Sequence, residues 1–170
     1  MKRLAALIVT TLIALSATAC NPPVDTHDAD VRAIKDLEAQ WNKDYVAMDL
    51  DKIMAHFADD ATLMATGMAS TSGKDAIRDA IKGMIADPNS TIKFQSSKVD
   101  VAKSGDLAYS QGSYTMTMTD PRTKQLINDH GSYVTAYRRQ ADGLWKAVSD
   151  IATSEVPPPA PPPAPEKKIK

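Results

Sequence analysis

Few side chains in this sequence are placed to do chemistry, and Asp150 is the foremost. It stands in Val148-Ser149-Asp150-Ile151-Ala152, apolar company that suggests burial. Burial penalises a charged carboxylate and raises its pKa, which suits a general base or a hydrogen-bond anchor for a ligand. The bland alternative is an acid that ties down a neighbouring strand or the first helix. His27 precedes the folded region and reads as solvated. His56 lies near Asp59 and Asp60, residue types that bind metals. The simpler reading is a helix finishing in water, and no metal centre is expected. His130, in Asp129-His130-Gly131, has the chemistry of a proton shuttle, but alternation puts it on the face opposite Tyr133. Ser-His-Asp order, a phosphate loop and a dinucleotide fingerprint are all missing, so no cofactor is expected.

The remaining candidates are apolar or aromatic. Trp41 and Tyr45 sit one helical turn apart and can close a pocket, although core packing is the simpler account of Trp41. Tyr133, Thr135 and Tyr137 alternate on one strand face. Met54, Met64, Met68 and Met84 offer an adaptable lining.

These residues need elements to position them. Val31, Ile34, Leu37, Trp41, Tyr45 and Met48 recur at helical spacing and predict a long first helix over 28–47. Asp49 caps a short second helix carrying Ile53, Met54 and Phe57, which Asp59 and Asp60 end. Residues 61–65 suggest a brief strand. Ser72-Gly73-Lys74-Asp75 resembles a capping box and opens a third helix, which stops at Asp87-Pro88. Ile92 and Phe94 then alternate in one phase, Val99 and Val101 in the other, so a bulge falls near Ser96-Ser97. Further strands are expected over 107–119, 128–139 and 144–154, with turns at Ser104-Gly105-Asp106 and Ala141-Asp142-Gly143. The expected fold class is α+β: three N-terminal helices packed on a curved antiparallel sheet of four long strands plus a short first one.

The chain of 170 residues has 20 Lys plus Arg against 21 Asp plus Glu, a net charge of −1. That balance gives no case for nucleic acid. One cysteine excludes an internal disulfide and a redox pair. Residues 1–19 read as a signal peptide: Lys2 and Arg3, an apolar run from Leu4 to Leu15, then small residues. Ala17-Thr18-Ala19-Cys20 resembles a bacterial lipobox, with Ala17 where Leu is usual. The resemblance implies a lipid on Cys20, membrane anchoring through it, and, given Asn21, the periplasmic side of an outer membrane. Residues 20–27 form a linker and 28–155 the domain, with 15 basic and 19 acidic side chains. Residues 156–170 are a Pro-rich tail, expected to be extended and disordered.

Three stretches then match one superfamily: Ala47-Met48-Asp49-Leu50-Asp51, Phe57-Ala58-Asp59-Asp60-Ala61-Thr62, and Gly73-Lys74-Asp75-Ala76-Ile77. So do Gly131-Ser132-Tyr133-Val134-Thr135 and the run from Tyr137 to Lys146. They resemble the nuclear-transport-factor-2-like superfamily, in its SnoaL-like branch of the domain of unknown function 4440 type. The resemblance implies a cone: a sheet curled round the first helix, with a pocket open at one end. Isomerases, cyclases, dehydratases and assembly domains share that fold, which alone does not choose among them. The ketosteroid-isomerase relatives use a helix tyrosine, a first-strand aspartate and a penultimate-strand acid. The match puts Trp41, Ala65 and Thr135 there, and none can do those jobs.

The leading expectation is therefore a lipid-anchored binding module. Its cone holds a small, largely apolar molecule among Trp41, Tyr45, Met54, Phe57, Met64, Met84, Tyr133, Thr135, Tyr137 and Asp150. One alternative is an isomerase, cyclase or hydrolase working through Asp150. Another is an envelope interaction module. A homodimer is expected through the outer sheet face, where Val134, Ala136, Trp145 and Ala147 should form an apolar patch. A slip of one residue would move Trp145 in and Asp150 out, so strict alternation ties the two placements together.

Overall fold

In the computed structural model, residues 26–120 and 122–157 are described. The signal peptide, Cys20 and the tail beyond Pro157 lie outside them. The chain opens with α1 (His27–Val46), α2 (Leu50–Ala55), β1 (Phe57–Ala65), β2 (Thr71–Ser72) and α3 (Lys74–Ile85). Four long strands follow: β3 (Thr91–Val101), β4 (Leu107–Thr119), β5 (Leu126–Arg139) and β6 (Trp145–Ser154). This is the expected α+β class, with helices packed on a curved, unclosed sheet. The strand order is β2-β1-β6-β5-β4-β3.

The first third differs in detail from the periodicity reading. Asp49 does cap α2, accepting from the Lys52 amide at 3.2 Å. Phe57, however, begins β1 rather than riding on α2, and Asp59 and Asp60 continue that strand instead of turning the chain. The reason is tertiary. β1 runs parallel to β6, and the Ala147 amide donates to the His56 carbonyl at 2.9 Å. The capping box is also absent. The residue before α3 is Gly73 at φ +88°, which has no side chain to cap with, while Ser72 pairs with Thr62 in β2–β1.

The second half follows the alternation closely, including the bulge between Ser96 and Lys98. A second bulge was not foreseen. Tyr137 pairs with Ala147, but Ala136 pairs with Ser149, so Val148 is an extra residue in β6. It resets the parity. Trp145 and Ala147 face inward before the bulge, and Asp150 and Ala152 face inward after it. Trp145 is 6 % exposed and Ala147 fully buried. The expected outer patch centred on Trp145 therefore does not exist. The outer face of β5 and β6 instead presents the cross-strand neighbours Val134 and Ile151.

Trp145 is covered by Arg139, whose guanidinium lies 4.8 Å from the ring centre. The same guanidinium donates to Asp30, a buried acid at the start of α1. Burial alone would raise the Asp30 pKa, but hydrogen bonds from Thr26 and Arg139 outweigh it and hold the carboxyl low. Arg139→Met should destabilise the domain by about 2 kcal/mol, because Asp30 then lies buried without a cation. The double variant with Asp30→Asn should regain most of that loss in denaturant midpoint.

Candidate functional site

Three cross-strand pairs lay out the centre of the concave face. Ser110 on β4 pairs with Thr135 on β5, Thr135 with Asp150 on β6, and Asp150 with Leu63 on β1. The polar members of this row serve two carboxylates. Thr135 Oγ1 donates to Asp150 Oδ1 at 2.8 Å. Ser110 Oγ donates to Glu38 Oε1 at 2.5 Å, and the Tyr137 and Tyr133 hydroxyls donate to the same oxygen at 2.9 and 3.2 Å.

Glu38 comes from α1, and no sequence argument singled it out. A signal was present. Ile34, Glu38, Trp41 and Tyr45 fall on one helical stripe, so a charge interrupts the apolar face that packs on the sheet. Glu38 is 4 % exposed, and its Oε2 is buried with no hydrogen-bond partner. Among the described residues no ion pair includes Glu38 or Asp150.

Burial, reinforced by the charge of Glu38, pushes the Asp150 carboxyl up to about 6, against the lowering hydrogen bond from Thr135. The neighbouring phenols respond in the same direction. Burial raises Tyr133 and Tyr137, and the Glu38 charge adds to it. Burial raises Tyr45, and the Asp150 charge adds to that. All three tyrosines therefore stay protonated at neutral pH, and Tyr133 and Tyr137 donate to Glu38.

The predicted pocket residues divide into three groups. Met54, Phe57 and Tyr137 are fully buried, and Trp41, Thr135 and Tyr133 are nearly so. Tyr45, Met84 and Asp150 are half-buried. Met64 lies on the outer face, paired with Ile151, because β1 and β6 share parity there; Leu63 takes the inward position beside Asp150. An aromatic cluster joins the helix to the sheet. The Phe94 ring lies 5.6 Å from Trp41, 6.4 Å from Tyr45 and 5.7 Å from Tyr133, centre to centre. The Asn42 amide fixes this edge, donating to the Phe94 carbonyl at 2.8 Å and accepting from its N–H at 3.0 Å.

An open groove of about 560 Å³ runs along that edge between α1, β3 and β4. None of the predicted pocket residues lines it; it shares Phe94 with the interior.

The model of the SnoaL-like domain matches residues 38–148. The chain belongs to the SnoaL-like domain family. No curated protein matches it in sequence. Solved structures do. A ketosteroid isomerase-like protein from Erwinia carotovora atroseptica aligns with TM-score 0.64 at 18 % identity, over 75 % of this chain and 98 % of that one. A nuclear-transport-factor-2-like protein from Novosphingobium aromaticivorans aligns with TM-score 0.61 at 19 % identity, over 75 % of this chain and 82 % of the other. A hexachlorocyclohexane dehydrochlorinase from Novosphingobium barchaimii gives 0.64 at 18 %, over 75 % and 88 %. These likenesses are of fold.

The histidines of this SnoaL-like domain are placed as follows. His56 does not end its helix in water. It lies half-buried against the Trp41 ring at 5.1 Å, with Nε2 2.7 Å from Asp44 Oδ2. Burial lowers its pKa despite that carboxylate, so the ring is neutral at pH 7. Asp59 pairs instead with Lys74 and Asp60 with Arg138. Among the described residues no cluster of metal-ligating side chains forms. His130 is exposed, on the face opposite Tyr133.

Proposed function

We propose that this SnoaL-like domain binds a small, largely apolar molecule in its concave face, with Asp150 as the polar anchor. The observation that carries the reading is the setting of Asp150. One carboxylate oxygen is held by Thr135, while no side chain or amide among the described residues bonds the other. Two half-buried groups lie beside Asp150: Leu63, its cross-strand partner on β1, and Tyr45, close enough to sense its charge. A thermal-shift and calorimetric panel of neutral apolar compounds tests it. Raised melting temperature and saturable heat are expected for some members, weakened in Asp150→Leu. No binding across the panel, with a crystal interior filled by side chains, would sink it.

A second reading is favoured by one observation. A carboxyl near 6 is poised to take a proton at neutral pH, which fits an isomerase, cyclase or hydrolase of the kind the branch contains. Asp150→Asn should then abolish turnover of a bound substrate while leaving the fold intact.

We place the domain in the cell envelope, anchored by lipid on Cys20 and, in a cell with two membranes, facing the periplasm from the outer one. The support is the signal-like start and the single cysteine after Ala-Thr-Ala. Fatty-acid labelling that disappears in Cys20→Ser would bear this out. Two copies pairing through the outer face, around Val134 and Ile151, is the corresponding proposal for assembly. A monomer in sedimentation would remove it.

A further inference from the structure

The interior of the cone carries negative charge that nothing in the described residues balances. The other two buried acids each face a nitrogen base: Asp30 has the Arg139 guanidinium and Asp44 the His56 ring. Glu38 and Asp150 have only hydroxyl donors. Hydroxyls satisfy lone pairs but do not neutralise charge. The charge of Glu38 adds to burial in raising the Asp150 carboxyl. Glu38 Oε2 is left without any donor while lying buried. A buried carboxylate oxygen without a partner is costly, and such groups in folded proteins call for an explanation.

Around the pair stand π-rich rings. Tyr133 and Tyr137 touch Glu38 directly, and Tyr45 lies close enough to Asp150 to feel its charge. Trp41 and Phe94 pack against Tyr45, with centres 6.3 and 6.4 Å away. Ring faces and carboxylates together attract an organic cation: the rings through their quadrupole, the acids through charge and N–H acceptance. Neutral apolar ligands would use the rings and leave the acids unanswered.

Resting on the pocket reading above, we infer that the ligand class of this site is a small apolar amine, its ammonium group held between Glu38 Oε2 and Asp150 Oδ2 and its hydrocarbon body against the aromatic cluster.

The charged and titratable groups facing the pair are Tyr45 from α1 and Tyr133 and Tyr137 from β5, with Asp44 and His56 beyond Trp41. The tyrosines do not ionise near neutrality, so the pH dependence of binding follows Asp150. It should weaken as pH falls through about 6, where Asp150 takes up its proton.

The test compares 2-phenylethylamine with 2-phenylethanol, which share a body and differ in charge. Calorimetry is run on the domain at about pH 7.5 and about pH 5, in wild type, Glu38→Gln and Asp150→Asn. Glu38→Gln keeps an acceptor for the three hydroxyls and replaces the unpartnered oxygen with an amide, and melting curves establish that each variant is folded. The expected result is an amine bound at least tenfold more tightly than the alcohol at the higher pH. That advantage should be lost at the lower pH and in both variants. Equal affinity for amine and alcohol would overturn the amine inference and leave the pocket standing. An amine preference that survives both substitutions would overturn the assignment to these two acids. Failure of both probes would also overturn it, and the neutral panel then judges the pocket separately.

Discussion

Asp150→Asn is expected to make the folded domain more stable at neutral pH. The carboxyl sits at about 6 in the fold against an ordinary 3.8, so the fold favours its neutral form. A group of this kind supports the folded state below its unfolded pKa and loses that support as pH rises from 3.8 to about 6. Above that window the fold bears the full cost of the buried charge, about 3 kcal/mol for a gap of that size. Asn cannot ionise, and its carbonyl can still accept from Thr135. The variant should therefore gain up to about 3 kcal/mol at pH 8 and almost nothing at pH 3. Denaturant melts at the two pH values check this. A variant less stable than wild type at pH 8 would assign Asp150 to structure. A gain there, with binding or turnover lost, is the trade expected of a group kept for its chemistry.

Gly131→Ala should have the opposite sign and at least the same size. Gly131 lies on the inner face of β5, opposite Tyr114 on β4 and Ser154 on β6. An added Cβ would stand 2.0 Å from the Thr153 carbonyl oxygen, and that neighbour is backbone, not a side chain that can swing aside. Relief requires β6 to shift along the segment that follows Asp150. A loss of about 3 kcal/mol or more is expected. Soluble yield and urea midpoint read it directly. Gly143→Ala is the contrast: nothing lies within 4 Å of its added Cβ, so its cost is confined to holding φ at +83°.

The architecture was largely legible because its signals are local. Helical spacing located α1 and α3, and period-two alternation located β3 to β6, with the β3 bulge marked by its own change of phase. Phe57 reads as helical from local spacing, and only the distant β6 makes it a strand residue. The site was legible in part. Asp150, Thr135, Tyr133 and Tyr137 were recognised as sharing a face. Glu38 is not legible in the sequence because a charge on a helix is ordinarily solvated, and only the fold brings three hydroxyls onto it. Strict alternation turns Trp145 outward, because no glycine or change of phase at Val148 announces the extra residue.

That extra residue divides β6 into two stretches with separate duties. Residues 145–147 belong to the core beneath Arg139, and residues 150–152 belong to the wall that carries the acid. An unbroken strand would couple the two, since any change of register that suited one would turn the other to solvent. With the bulge between them, substitutions at the wall can explore new ligands without turning over the core. The domain can then change what it holds faster than it changes how it folds.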